Sequence, residues 1–425
     1  MSLTKKPVTG MKDILPEEMA IRDYCISMIT KTYESFGFTH IETPCVEHIE
    51  NLCSNQGGEN EKLVFKILKR GEKLNIENAS GENDLADSGL RFDLTLPLAR
   101  YYSNNQALLP APFKALQMGN VFRAERPQKG RFRQFMQCDI DILGESGNLA
   151  EIELILATTT LLSKLEFKNF KVKINERRIL KAMAKYAGFE EDKTDAVFVI
   201  LDKMDKIGLD GVREELIGNG FDESIVSKYL SLFDEMKNDN DSTNIGALDY
   251  LSNKLEGVIE EGVIDNLKEI FESVNSAKTA DFELAFDPTL VRGMGYYTGT
   301  IYEIEMAELN CSVAGGGRYD RMIGKFTGND TPACGFSIGF ERIITIMLEK
   351  GFKIPGTEGK TAFLVEKDIK GERMGEIIKE AAALRNEGRT VLIARMNKNK
   401  KFQKETLEKQ GFTEFRNFYA QELKY

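Results

Sequence analysis

Histidine is almost missing from this chain: only His40 and His48 occur in 425 residues, which excludes a His-rich metal centre. Cysteine is sparse and lacks a pairing pattern. Cys25, Cys45, Cys53, Cys138, Cys311 and Cys334 are scattered without one CxxC. That spacing excludes a cysteine zinc site and a disulfide framework, and reads as reduced, mostly buried thiols of a cytosolic protein. No apolar run approaches the ~18 residues of a membrane span, and mean hydropathy is −0.32. The start, MSLTKKPVTGMKD, has no apolar signal core, so export is not expected. Positive charge is also short. Lys and Arg number 57 against 67 Asp and Glu, a net charge of −10. Such a chain is a poor nonspecific binder of nucleic acid, although a local basic face remains compatible with it. What is present, 42% hydrophobic and 29% charged residues, suits a globular protein of two or three domains.

One stretch organises the rest: VFRAERPQKGRFRQFMQCDIDILG, Val121 to Gly144. Two apolar-containing runs flank a loop marked by Pro127 and Gly130. The loop carries Arg123, Arg126, Lys129, Arg131 and Arg133. Beyond it Gln137, Asp139 and Asp141 alternate, so a strand puts all three on one face. The pattern predicts an antiparallel hairpin with a cationic loop and an acidic floor. Cations suit phosphates; carboxylates and an amide suit an ammonium or imidazole group. A solvated basic turn before an edge strand has the same pattern.

Upstream, Ile21, Cys25, Met28, Ile29 and Tyr33 recur at helical spacing over residues 17–36, with Gly37 as a stop and FTHIETP as a strand ending at Pro44. This helix and strand suit either core packing or a dimer face. LRFDLTLPLARYY reads as a strand in which Asp93 and Thr95 share the face opposite Phe92, Leu94 and Leu96. A half-buried carboxylate needs a partner, either an internal Arg or a ligand ammonium. Residues 148–165 read as a helix and FKNFKVKIN as a strand. From 175 to 278 the chain reads as a charged, all-helical insertion. Strands return at Phe282 to Phe286. Three segments then place Arg beside Gly: LVRGMGYYTG, AGGGRYD and GFSIGFERI. Gly-rich turns beside Arg suit a nucleotide, and glycines at tight strand corners look alike. A linker at 351–359 leads to a small α/β unit over 360–425. Arg395, Lys398, Lys400, Lys401 and Lys404 concentrate charge there, as a solvated helix start or an RNA-contacting face.

Taken together, these segments resemble a class II aminoacyl-tRNA synthetase, the histidyl-tRNA synthetase family, over nearly the whole chain. Gly10-Met11-Lys12-Asp13 is similar to the family's N-terminal GxxD signature. The helix and strand ending at Pro44 resemble the dimer-forming first class motif. FRAERPQKGRFRQF resembles the second and GFSIGFERI the third. LVRGMGYYTG is similar to the histidine-specific segment RGLDYYTG, with Gly295 in place of the family's Asp.

The resemblance implies an α+β fold: a mainly antiparallel sheet flanked by helices in a catalytic domain over 1–350, interrupted by the helical insertion, then the C-terminal anticodon-binding-like domain, which is expected to be shortened. It implies ATP-dependent activation of histidine to histidyl-adenylate and transfer to tRNA(His), by a cytoplasmic homodimer, with Mg²⁺ arriving on ATP. Arg123 and Arg342 would hold ATP phosphates and adenine, framed by Glu125 and Arg126. Arg292 would sit at the α-phosphate and the histidine carboxylate. Asp93, Thr95 and Gln137 match positions that bind the α-ammonium; Asp141 and Tyr297, beside Tyr296, match those at the imidazole. A silent paralogue, the regulatory subunit of ATP phosphoribosyltransferase, is the alternative. Such paralogues usually degrade the motif arginines, whereas Arg123, Arg292, Arg318 and Arg342 are present here.

Overall fold

The computed structural model describes residues 3–53, 60–127, 131–238, 243–292, 297–306, 311–355 and 359–420. The chain forms two compact units. One combines Met1–Lys12 with Ser27–Ile343, the other Asp13–Ile26 with Ile344–Tyr425.

The first unit is built on an eight-stranded sheet. Its strands are β1 (Thr39–Ile41), β2 (Phe113–Phe122), β3 (Gln134–Leu143), β4 (Phe170–Glu176), β5 (Phe282–Phe286), β6 (Thr300–Met306), β7 (Cys311–Arg318) and β8 (Ala333–Ile338). The order across the sheet is β1-β2-β3-β8-β7-β6-β4-β5. Both outer pairs are parallel and the five pairs between them antiparallel. The expected α+β fold with a mainly antiparallel sheet is therefore present.

Alternation in β3 explains how the sheet buries itself. Cys138, Ile140 and Ile142 are fully buried on one face, each worth roughly 1.5–3 kcal/mol of apolar burial for the isoleucines. The helix Leu149–Lys164 packs against β8, contributing buried Leu154, Ile155, Leu161 and Leu162. Gln137, Asp139 and Asp141 take the other face, as their spacing predicts. The triple glycine of AGGGRYD is not a turn. Gly315, Gly316 and Gly317 lie inside β7, because a Cβ on Gly316 would overlap the Gly335 carbonyl of β8 and the Tyr302 ring.

The helical insertion runs from Arg177–Ala187 to Val263–Ala277. It has its own core, with Phe189 edge-on to Phe221 and Tyr229 at 5.4 Å.

In the second unit, β9 (Lys360–Val365) pairs in parallel with β10 (Val391–Arg395) on one side and β11 (Phe412–Phe418) on the other. The helices Gly371–Asn386 and Lys400–Lys409 connect them. Phe363, Ile377, Ala381 and Val391 fill one side of this sheet, and Ala362, Met396 and Leu407 the other.

Candidate active site

Strand register assembles the site. Residues directly paired across neighbouring strands point to one face. Pairing aligns Gln117, Asp139, Ser337, Gly315, Glu303 and Lys173 in a single row over β2, β3, β8, β7, β6 and β4. The next row on that face carries Asp141 opposite Gly335. Four of the six residues in the first row are charged or amide-bearing, on a face that six strands in five antiparallel pairings hold rigid.

A cavity of about 520 Å³ lies on this face, a size that suits a small molecule. Its lining brings together Asp93, Thr95, Arg123, Glu125, Gln137, Arg292, Tyr297 and Arg342. All eight were named from sequence. Asp141 is placed below them, buried, with its Oδ1 accepting the Tyr319 hydroxyl at 2.6 Å and its Oδ2 unpartnered. Arg126 is exposed and outside the lining. Tyr296, with Gly293 and Gly295, lies outside the described residues, as does Lys129.

Asp93 and Thr95 reach the cavity by a different route from the strand expected of them. The strand ends at Leu90 (Ala86–Leu90), and a helix spans Thr95–Asn105. Asp93 sits in the turn between them, where its Oδ1 accepts the Leu96 amide at 3.1 Å, satisfying a first-turn donor. That local bond outweighs the apolar alternation. A buried clasp fixes the turn. Arg91 donates to the Thr43 carbonyl at 2.6 Å and the Asn120 carbonyl at 2.9 Å, while Gln117 donates to the Leu94 carbonyl at 3.1 Å.

The cationic loop divides its labour. Arg123 and Arg131 line the cavity. Arg123 lies 5.1 Å over the Phe135 ring and donates to the Phe92 carbonyl at 3.1 Å. Arg133 instead holds backbone: its Nε donates to the Glu125 carbonyl at 3.0 Å and its amide to the Gly10 carbonyl at 2.8 Å. Gly10 has φ +85, and a Cβ there would meet the Arg133 stem at 2.8 Å, which accounts for glycine in the N-terminal signature. Arg318 is likewise structural, forming a two-bond buried pair with Glu151 at 2.7 Å. Arg342 donates to the Ser312 carbonyl and Arg292 to Glu303.

Electrostatics set the floor apart from the walls. Burial raises Asp139 well above the ordinary carboxylate range, and the neighbouring Asp141 adds to it. Asp141 is pushed up to about 7 by burial, against the lowering effect of the Tyr319 hydroxyl. Burial also raises Asp93, opposed by the Leu96 amide and then Arg123. For Asp139 and Asp93 the cost of burial outweighs the pull of the nearby Arg123. Ser337 donates to Asp139 Oδ1 at 2.5 Å and Gln137 Nε2 approaches Asp139 Oδ2 at 3.4 Å; both are hydrogen-bond partners without positive charge. Gln137 Oε1 is also buried without a partner. A floor of raised carboxyls beneath a wall of arginines can hold an amino acid by its ammonium end and a polyphosphate by the other.

Sequence reading missed Tyr319, Ser337 and Glu303. Their positions depend on which strands pair, and no local pattern carries that.

A sequence model of the histidyl-tRNA synthetase family matches residues 10–343. The chain belongs to the histidyl-tRNA synthetase family. It is 40% identical over 418 residues to a histidine--tRNA ligase of Leifsonia xyli subsp. xyli, covering 96% of this chain and 94% of that one. A crystal structure of histidyl-tRNA synthetase from Nostoc sp. PCC 7120 superposes with a TM-score of 0.78 at 28% identity, covering 97% and 90% of the two chains. An ATP phosphoribosyltransferase regulatory subunit/histidyl-tRNA synthetase from Bacillus halodurans C superposes at 0.76 with 20% identity, over 99% and 100%. That likeness is one of fold. Of the motifs read from sequence, the second begins at the end of β2 and closes at the start of β3, and the third begins on β8, strands that border the cavity.

Proposed function

We propose that the chain is a histidine--tRNA ligase that activates histidine with ATP and transfers the histidyl group to tRNA(His). One observation carries the reading at the level of the site: an acidic floor and a cationic wall share one cavity. The amino acid's ammonium lies against Asp93, Thr95 and Gln137, and its imidazole against Asp141 and Tyr297. Arg123 and Arg342 hold ATP, with Glu125 beside them. Arg126 is exposed and stands outside the lining, so it adds charge at the cavity's rim.

The histidine carboxylate attacks the α-phosphorus. An oxygen–phosphorus bond forms, the bond to the bridging oxygen breaks, and pyrophosphate leaves with that electron pair. Charge grows on the α-phosphate, where Arg123 and Arg292 stabilise it. Such a reaction asks a protein mainly for position and electrostatics. Mg²⁺ comes as part of the ATP substrate, and Glu125 and Glu341 in the lining are hard oxygen donors that suit it. Among the described residues no cluster of three His, Cys, Asp or Glu side chains is arranged for a resident ion.

The α/β unit over 360–420 contacts the tRNA, and the protein works in the cytoplasm as a homodimer through the helix and strand of residues 17–47. Static light scattering at micromolar concentration tests the dimer, which a monomer mass would refute. The enzyme reading is tested by histidine-dependent ATP–pyrophosphate exchange. Exchange followed by charging of tRNA(His) supports it. Histidine binding without exchange would favour the regulatory-subunit alternative.

A further inference from the structure

We propose that Glu303 is a positioning residue for adenylate formation: it clamps Arg292 in the slot that Gly315 leaves open, so that the remaining guanidinium donors face the cavity. The inference rests on the histidine-activation reading and adds a residue to it.

Three observations meet at this point. Glu303 of β6 is paired directly with Gly315 of β7, so both belong to the polar row beneath the cavity. A Cβ on Gly315 would overlap the Arg292 guanidinium, so the missing side chain is what admits the arginine. Arg292 NH1 bonds Glu303 Oε2, while Arg292 Nε is buried without a partner and the residue lines the cavity. The pair is partly shielded, with the two side chains 29% and 23% exposed.

The neighbours leave Glu303 to this task. Lys173 stands opposite it in register, but its ammonium is taken by Glu305 at 3.0 Å and Asp287 at 3.2 Å, with Asp205 at 3.7 Å. Arg292 is the cation paired with Glu303 among the described residues. Asp202, at the end of the helix Thr194–Leu201, is raised by burial and by the Glu303 charge, and lowered by Arg292, so it acts on both members of the pair. The backbone ahead of Arg292 is separately anchored, since buried Asn175 donates to the Leu290 carbonyl at 3.0 Å. Backbone anchor and side-chain clamp together fix a long, flexible side chain. A charged partner holds a guanidinium more firmly than a neutral one.

The test is a double-mutant cycle in histidine-dependent pyrophosphate exchange, using the full chain. Arg292→Ala is expected to lose ~10²–10³ in kcat. Glu303→Gln keeps the shape and removes the charge. It is expected to lose ~10-fold or more in kcat, with KM for ATP and for histidine held within ~3-fold. In the Arg292→Ala background Glu303→Gln is expected to cost nothing further, because the group it positions is gone. Gly315→Ala, which fills the slot, is expected to reproduce the Glu303→Gln kinetics, and decides the matter if Glu303→Gln does not fold by thermal melting. Losses that add in the double variant, wild-type kinetics in both single variants, or a faster Glu303→Gln enzyme would each overturn the clamp. The last result would make Glu303 a latch that restrains Arg292. A wild-type chain without histidine-dependent exchange would remove the functional reading itself, and the clamp with it.

Discussion

The eight-stranded sheet and the three-stranded sheet bury similar apolar residues and keep their polar side chains in opposite places. In the large sheet Asp139 and Asp141 are buried and Asp141 Oδ2 and Gln137 Oε1 have no partner; neither has Arg292 Nε, in the segment ahead of β6. In the small sheet the charged residues sit at the surface and satisfy one another: Arg416 bonds Glu414 at 2.9 Å and Glu380 at 2.6 Å, and Arg389 bonds Glu414. Among the described residues the small sheet contributes no buried unpartnered side-chain atom. A buried polar group without a partner is costly. Asp141 Oδ2, Gln137 Oε1 and Arg292 Nε gather at and just beneath one cavity, which marks where a ligand completes the structure, whereas the small sheet has no such group among the described residues.

The largest expected effect follows directly. If the orphaned groups await an imidazole and an ammonium, ligands that leave them unpaired are rejected by up to ~10⁴–10⁵. Calorimetry should find histidine bound and phenylalanine not measurably bound. Comparable affinities would erase the contrast between the sheets. Next is Arg123→Ala, which removes a wall cation from the same cavity. It is expected to cost ~10²-fold in kcat/KM for ATP in pyrophosphate exchange while histidine binding, measured without ATP, stays near wild type. Loss of histidine binding instead would mean that wall and floor are not separate.

Much of this contrast is legible in the sequence, and the exceptions share a cause. Period-two alternation correctly put Gln137, Asp139 and Asp141 on one face, and the loop between Val121 and Gln134 did join an antiparallel pair. Apolar spacing found the helix Pro16–Ser35, with Ile21, Cys25, Ile29 and Tyr33 buried along one stripe. Alternation misled at Asp93, where a helix-capping bond is available to a carboxylate in a turn as well as in a strand. Glycine misled at Gly315 to Gly317, where the constraint is a neighbouring strand and an incoming arginine instead of a bend. Tyr319 under Asp141 and Glu303 beside Arg292 could not be read, because each contact is fixed by strand register, a property of the whole sheet.

The floor's raised carboxyls give an intermediate effect with a definite sign. Asp141 titrates near 7 in the folded chain and near 3.8 when unfolded. Between those values the folded state holds a proton that the unfolded state has released. Its contribution to stability is therefore largest below pH 4 and declines as pH rises toward 7. Asp141→Asn removes that decline, so the ligand-free variant should gain thermal stability relative to wild type at pH 8 more than at pH 5. The same substitution is expected to weaken histidine binding ~10-fold or more, since the ionised carboxylate accepts the ring N–H in the complex. Wild-type affinity in Asp141→Asn, or a stability difference independent of pH, would break the assignment.

The smallest effect tests the other sheet. Lys398, Lys400, Lys401 and Lys404 are exposed around the start of the helix Lys400–Lys409. Two are only loosely paired, Lys401 with Glu405 at 4.0 Å and Lys404 with Glu408 at 3.9 Å. Arg395 does not belong with them, since its guanidinium holds the Glu366 and Ile369 carbonyls at 2.6 and 3.0 Å. Exposed lysines cost little to leave in water, so this patch carries no sign of incompleteness of the kind seen beneath the cavity. If it meets tRNA phosphates, it does so through counterion release, and each lost contact lowers the slope of log K against log salt by about 0.7–0.9. Lys400→Ala/Lys401→Ala/Lys404→Ala is expected to raise KM for tRNA roughly 5–10-fold at moderate salt and to flatten its salt dependence, with histidine-dependent pyrophosphate exchange unchanged. An unchanged KM and slope would make the patch a solvated helix start. A fall in pyrophosphate exchange would show that the two sheets do not divide recognition of tRNA from chemistry on histidine.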